Sequence, residues 1–265
     1  MCRLFGMSGG RRPVRATFWL LDAPDSLDVQ SRANPDGTGL GIFDADGRPQ
    51  LLRQPLAADD DLDFAREARE LESTTWVGHV RHASQGAVAL RNTHPFAMDG
   101  RILAHNGGFG DLPLLEEHLG DDLSLVEGDT DSERFFALVT REVRRTGDVA
   151  DGLVRAVDWV ADHLPVLALN VVLTTPYDLW ALRYPETHAL HLLQSDAGSV
   201  ARESRAGTRV TADHAPPHVV VASERLDDDP GWDEVAPGEL VHVGPELTVE
   251  RTVVRDRAPL RRMSL

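Results

Sequence analysis

Short apolar runs broken by glycine, proline and aspartate turns occupy both ends of the chain, and two long amphipathic patterns lie between them. This order fits an α+β layered domain over residues 1–265, with mostly antiparallel sheets, better than a regular β-α-β winding. Cys2 to Ser8 reads as a strand closed by Gly9-Gly10, and Leu40 to Phe43 with Gln50 to Arg53 as a hairpin around Asp44-Ala45-Asp46-Gly47. Val14 to Leu21 fits either a buried helix or a strand, since periodicity alone does not arbitrate. Asp61 to Leu71 has Leu62, Ala65, Ala68 and Leu71 at helical spacing. Trp76 to His82 is a strand in which Val77, His79 and Arg81 share one face and His82 points to the other. Asn92 to Phe96 is a loop, and Arg101 to His105 a strand ending at Asn106-Gly107-Gly108. Helices are expected from Asp131 and over Val149 to His163, followed by strands at 166–174, 177–183, 189–194, 218–223, 240–243 and 247–254.

Composition narrows the function. Basic residues number 27 against 43 acidic ones, a formal net charge of -16, which argues against nucleic-acid or anionic-membrane partners. Every basic residue is arginine, so a Schiff-base lysine, a pyridoxal-phosphate site and a phosphate-loop lysine are excluded. No GxGxxG opens a helix after a strand, and no Cys/His set has metal-ligand spacing, so neither a cofactor nor a metal is expected. The single cysteine cannot form an internal disulfide. The longest apolar stretch, Leu164 to Leu173, is too short to span a bilayer, and no basic-then-apolar leader opens the chain, so a cytoplasmic protein is expected.

That single cysteine is Cys2. With the initiator methionine removed, its thiol and a free α-amine share one carbon, and an α-amine titrating at roughly 7.7–8.0 suits a general base. The alternative is a small buried strand residue. Elsewhere, the glycines of Asn106-Gly107-Gly108 allow close backbone approach to a ligand or merely a tight turn. Thr130 and Glu133 have capping-box spacing, which puts Asp131 at the first helical position, where the helix dipole favours a carboxylate whatever its function.

Met1-Cys2, Gly78-His79-Val80-Arg81-His82-Ala83-Ser84, Asn92-Thr93-His94-Pro95-Phe96, His105-Asn106-Gly107 and Thr130-Asp131-Ser132-Glu133 together resemble the class II glutamine amidotransferases. The likeness is densest over residues 1–145 and continues to Val219-Val220-Val221-Ala222-Ser223-Glu224. It implies the four-layer α-β-β-α sandwich of the N-terminal-nucleophile hydrolases. It further implies that Cys2 attacks a γ-glutamyl amide, that Asn106 and the Gly107 N–H hold the oxyanion, that Arg81 and Ser84 bind the α-carboxylate, and that Asp131 binds the α-ammonium. His79, His94 and His105 are then supports rather than catalysts. The larger members carry an Arg-Gly pair where this chain has Ala33-Asn34-Pro35-Asp36-Gly37, and an aromatic where it has His82. Two substrates follow from the resemblance: glutamine, with ammonia passed to a separate synthetase, or a larger γ-glutamyl amide, as in the similar ergothioneine-pathway hydrolase. An amidase for acyl groups lacking an amino-acid head and a non-catalytic binding module on the same fold are the competing readings.

Overall fold

The computed structural model describes residues 2–83, 86–196, 198–206 and 209–263. In chain order its strands are Arg3–Ser8 (β1), Thr38–Phe43 (β2), Pro49–Gln54 (β3), Thr75–Val80 (β4), Phe96–Met98 (β5), Arg101–Phe109 (β6), Pro165–Thr174 (β7), Leu179–Arg183 (β8), His191–Ser195 (β9), Gly198–Glu203 (β10), Arg209–Ala215 (β11), His218–Ala222 (β12), Asp233–Glu234 (β13), Glu239–Val243 (β14), Val249–Val253 (β15) and Arg261–Arg262 (β16). Its α-helices are Leu27–Ser31 (α1), Leu62–Glu70 (α2), Leu112–Leu119 (α3), Asp131–Thr146 (α4) and Val149–His163 (α5).

One sheet runs β13-β9-β12-β1-β4-β2-β3 and the other β15-β14-β8-β7-β6-β5. Pairing is antiparallel except where β16 joins β7 in parallel. A separate hairpin joins β10 to β11.

Strand alternation sorts the apolar residues into three cores, and three cores make four layers. Leu4, Val77, Ile102, Ala104, Val172 and Val221 fill the space between the sheets. Their neighbours in sequence face outward: Phe5, Met7, Trp76 and Val80 pack on Leu27, Phe64 and Ala68 of α1 and α2. On the other side, Leu103, Val171 and Leu173 pack under Phe135, Phe136, Leu153 and Val157 of α4 and α5. The architecture is the α-β-β-α sandwich that the family resemblance implies.

Helix ends follow the sequence signals. Asp61 accepts from the Asp63 N–H at 3.0 Å and Asp148 from the Asp151 N–H at 2.8 Å. Thr130 accepts from the Glu133 N–H at 3.2 Å, but the return bond of a capping box is not made: the Glu133 carboxylate takes the Glu127 and Gly128 N–H groups at 3.1 and 2.6 Å. That ties the loop before α4 to its first turn.

Two expectations change, and one helix is added. Val14 to Leu21 is neither a regular strand nor an α-helix: Val14 makes a lone bridge to Ser73, and Phe18–Asp22 forms one π-helical turn. β6 does not stop at Asn106 but runs to Phe109, because β7 pairs with it throughout. α3 went unread, its first turn carrying Pro113 where the missing N–H costs nothing. Among the described residues no helix is long and apolar enough to cross a membrane.

The sheets approach closely where glycine replaces a side chain. A Cβ on Gly6 would lie 2.7 Å from Val172 Cγ1, and one on Gly41 2.6 Å from Ile102 Cγ2. Gly6→Ala is therefore expected to overpack the inter-sheet core and lower unfolding free energy by about 1–3 kcal/mol. Urea titration of Gly6→Ala, Val172→Ala and the double variant checks this, since trimming Val172 should make the double loss smaller than the sum of the single losses.

Candidate active site

Cys2 is positioned by β1. The ladder to β4 runs from Ser8↔Thr75 to Arg3↔Val80, so the residue before Arg3 falls beside the chain leaving β4. There the Cys2 sulfur accepts from the His82 N–H at 3.3 Å and donates to the His82 carbonyl at 3.4 Å. Burial raises the Cys2 thiol pKa above its ordinary value, against the His82 N–H and the Arg81 charge, which favour thiolate. Such a thiol stays protonated near neutrality and needs a base to act as a nucleophile.

Arg81 continues the inward face of β4 and is 3% exposed. Its guanidinium donates to the carbonyls of Gly86 and Ala87, both at 3.2 Å. The Ala33–Gly37 loop clasps this segment: Asp36 Oδ2 accepts from the Ala83 N–H at 2.8 Å, and the Arg81 N–H donates to Gly37 O at 2.8 Å. Burial draws the Arg81 pKa down while Cys2, Asp36 and Asp131 act the other way; a guanidinium stays charged in either case.

β6 brings the backbone donor. Leu169, opposite Gly107, gives its N–H to Tyr184 at 2.6 Å on the β8 side, so Gly107 and Leu169 form a non-hydrogen-bonded pair and the Gly107 N–H turns toward the free edge of β6. That edge is uncovered because β5 ends its pairing at Leu103. Only glycine fits at 107, since an added Cβ would stand 1.9 Å from Ala168 O. Phe109, on the same edge, donates to Asp131 Oδ2 at 3.2 Å.

Asp131 opens α4 and is 6% exposed. It also accepts the Ser132 N–H at 2.8 Å. The Ser132 hydroxyl proton is claimed elsewhere. His105 Nε2 faces the Ala168 carbonyl at 3.1 Å and must be the protonated nitrogen, so Nδ1 accepts from Ser132 Oγ at 2.9 Å, closer than Asp131 Oδ1 at 3.3 Å. Burial lowers the His105 pKa and keeps this ring neutral. The Asp131 carboxylate keeps acceptor capacity for a cation.

Cys2, Arg81, Gly107 and Asp131 thus line one small cleft, with His94 and His105 in its wall. Asn106, 4% exposed, opens instead on the adjoining cleft, where its amide donates to Ser223 Oγ at 3.3 Å. Ser84 lies outside the described residues.

Residues 1–258 match the family described as glutamine amidotransferases class-II. The chain belongs to that family. The γ-glutamyl-hercynylcysteine sulfoxide hydrolase of Mycolicibacterium smegmatis is 29% identical over 92% of this chain and 96% of its own length. A glutamine aminotransferase class-II domain protein from Silicibacter pomeroyi superposes over 97% of this chain and 99% of its own with a TM-score of 0.67 at 23% identity. Glutamine PRPP amidotransferase from B. subtilis superposes with a TM-score of 0.68 at 19% identity, and this chain covers half of that one.

Sequence reading missed Asp36, Ser132 and Ser223 as parts of the site. Asp36 sat in a turn-rich loop whose composition explained it, and Ser132 inside a helix-start motif. Ser223 reaches the site only because β12 pairs with β1, which brings the Leu4 N–H within 2.9 Å of its hydroxyl. No local pattern signals that.

His79 and His94 stack behind the cleft with ring centroids 4.2 Å apart, and none of their ring nitrogens is hydrogen-bonded among the described residues. Burial, then the neighbouring His105 and Arg81, lowers His79 from 6.5 to about 3. The unfolded chain therefore takes up this proton first: the contribution is full above about pH 6.5 and is lost as pH falls toward about 3. At pH 5 the loss amounts to about 2 kcal/mol. Urea unfolding at pH 7 and pH 5 should show an acid loss that His79→Gln shrinks by about 2 kcal/mol, whatever that variant does to absolute stability. An unchanged pH difference would contradict it.

Proposed function

We propose that residues 1–265 form one catalytic domain that hydrolyses a γ-glutamyl amide through Cys2. The observation that carries this reading is the convergence of a thiol, a buried guanidinium, an edge N–H and a carboxylate with spare acceptor capacity on one small cleft, lined by Cys2, Arg81, Gly107 and Asp131. A γ-glutamyl group presents an α-carboxylate, an α-ammonium and an amide carbonyl, and each has a matching group there. Arg81 holds the carboxylate, as only a fork of N–H donors does bidentately. Asp131 pairs with the ammonium.

With Met1 removed, the α-amine of Cys2 takes the thiol proton as sulfur attacks the amide carbon. The Gly107 N–H and the Asn106 amide stabilise the oxyanion that forms. The C–N bond breaks, the amine leaves with the proton held by the α-amine, and a γ-glutamyl thioester remains. Water then attacks, the same amine accepting its proton; the C–S bond breaks, the thiol is regenerated and glutamate departs. The hydrolase named for the M. smegmatis relative, which aligns over 92% of the chain, supports water rather than a bound acceptor as the final nucleophile.

Glutamate release measured with glutamine and with γ-glutamyl amides tests the mechanism. Cys2→Ala is expected to lower it by on the order of 10⁴-fold or more. Asn106→Ala should cost about 10²–10³ in kcat with KM little changed. Arg81→Lys should act mainly on KM, by roughly tenfold or more. Equal release by the parent protein and Cys2→Ala would overturn the reading.

A further inference from the structure

In the Cys2 mechanism the α-ammonium of the γ-glutamyl group pairs with Asp131, and the strength of that grip depends on how many lone pairs the carboxylate has left. Oδ2 takes the Phe109 N–H at 3.2 Å and Oδ1 the Ser132 N–H at 2.8 Å, which leaves each oxygen one further site. One neighbour stands ready to fill the site on Oδ1. It is the Ser132 hydroxyl, 3.3 Å away and in the lining of the same cleft. A hydroxyl donates a single proton, so the direction in which Ser132 points it decides what Asp131 can still offer a cation.

His105 sets that direction. It lies on β6 immediately before Asn106, is 1% exposed, and packs against Phe109 and Phe135 with ring centroids 6.2 and 6.0 Å away. Its Nε2 faces the Ala168 carbonyl at 3.1 Å; a carbonyl has no proton to give, so Nε2 carries the hydrogen. Burial keeps the ring from taking a second proton. Nδ1 is then a bare acceptor, and it meets Ser132 Oγ at 2.9 Å. The Ala168 carbonyl that fixes this tautomer is the one that leaves no room for a Cβ on Gly107, so a single backbone oxygen of β7 both keeps position 107 free of a side chain and orients the imidazole. With a hydrogen on Nδ1 the bond would reverse: the ring would donate to Ser132, and the serine proton would turn to Asp131.

We propose that His105 is a positioning residue for ammonium recognition: by accepting the Ser132 hydroxyl proton it keeps Asp131 Oδ1 open to the α-ammonium of the γ-glutamyl group. The assignment rests on the Cys2 reading of the cleft and adds to it the residue that governs how tightly Asp131 binds. His105 acts through Ser132 and needs no contact with the ligand. Its neutral ring controls the acceptor strength of a carboxylate on α4 without adding a charge to the cleft.

Calorimetry of γ-glutamylethylamine binding to Cys2→Ala protein measures the effect without turnover. His105→Leu removes the acceptor and frees the Ser132 proton for Asp131, and affinity is expected to fall about tenfold, the order of one hydrogen bond to a charged group. Adding Ser132→Ala removes the competing proton and should restore most of that loss. A ring that merely fills space predicts the reverse, since a second truncation in the same wall would weaken binding further. Nitrogen NMR of the histidine-labelled parent protein at neutral pH tests the assignment without any substitution at 105, and should find the His105 proton on Nε2. Unchanged affinity in His105→Leu, a loss that Ser132→Ala does not reverse, or a proton on Nδ1 overturns the assignment. Failure of the Cys2 mechanism shows separately, as glutamate release undiminished by Cys2→Ala.

Discussion

The pairing of β1 with both β4 and β12 is the constraint on which the site depends. A strand held on both edges cannot fray, and its inward and outward faces are set by Leu4 in the inter-sheet core and by Phe5 and Met7 in the helix-covered one. A slip of one residue would exchange those faces and bury the wrong side chains. The chain just before Arg3 therefore leaves a rigid element, and the thiol at Cys2 has its partners at His82 fixed by the same ladder that builds the core.

Around that strand, the charged groups of the first cleft, Arg81 and Asp131, are held by backbone rather than by one another. Arg81 is set by carbonyls of the loop after β4, Asp131 by the N–H groups of Phe109 and Ser132, and His105 by Ser132 and the Ala168 carbonyl. Backbone donors and acceptors carry no ionisation of their own, so the charge of the cleft is not changed by its supports. Burial keeps the imidazoles neutral, which leaves Arg81 and Asp131 as the opposed charges available to a zwitterionic ligand head. In a protein of formal charge -16, separating those two charges locally gives a ligand with both signs an advantage over a simple cation.

Much of the layer order was legible because alternation and helical period survive in a single sequence. The strands at 3–8, 38–43, 49–54 and 165–174 and the helices at 62–70, 131–146 and 149–163 lie where apolar spacing and capping residues put them. What escaped was set by contacts distant in sequence. Asn106-Gly107-Gly108 looked like the end of a strand because glycine is common in turns; it continues the strand because β7 pairs with it to Phe109, and glycine stands at 107 because Ala168 leaves no space for a side chain. The division of the site into two clefts, with Asn106 opening on the one beyond Ser223, depends on a β12–β1 pairing that spans nearly the whole chain. The hairpin of β10 and β11 and the helix α3 had weak local signals and went unread.

That long pairing also orders events in time. β1 is synthesised well before one of its two neighbours, β12, which begins at His218, and contacts so remote in sequence close late in folding. Until then the Leu4 N–H has no Ser223 hydroxyl to meet, and the groove on the Asn106 side has no wall. A nascent chain thus carries its cysteine long before the last strands wall that groove.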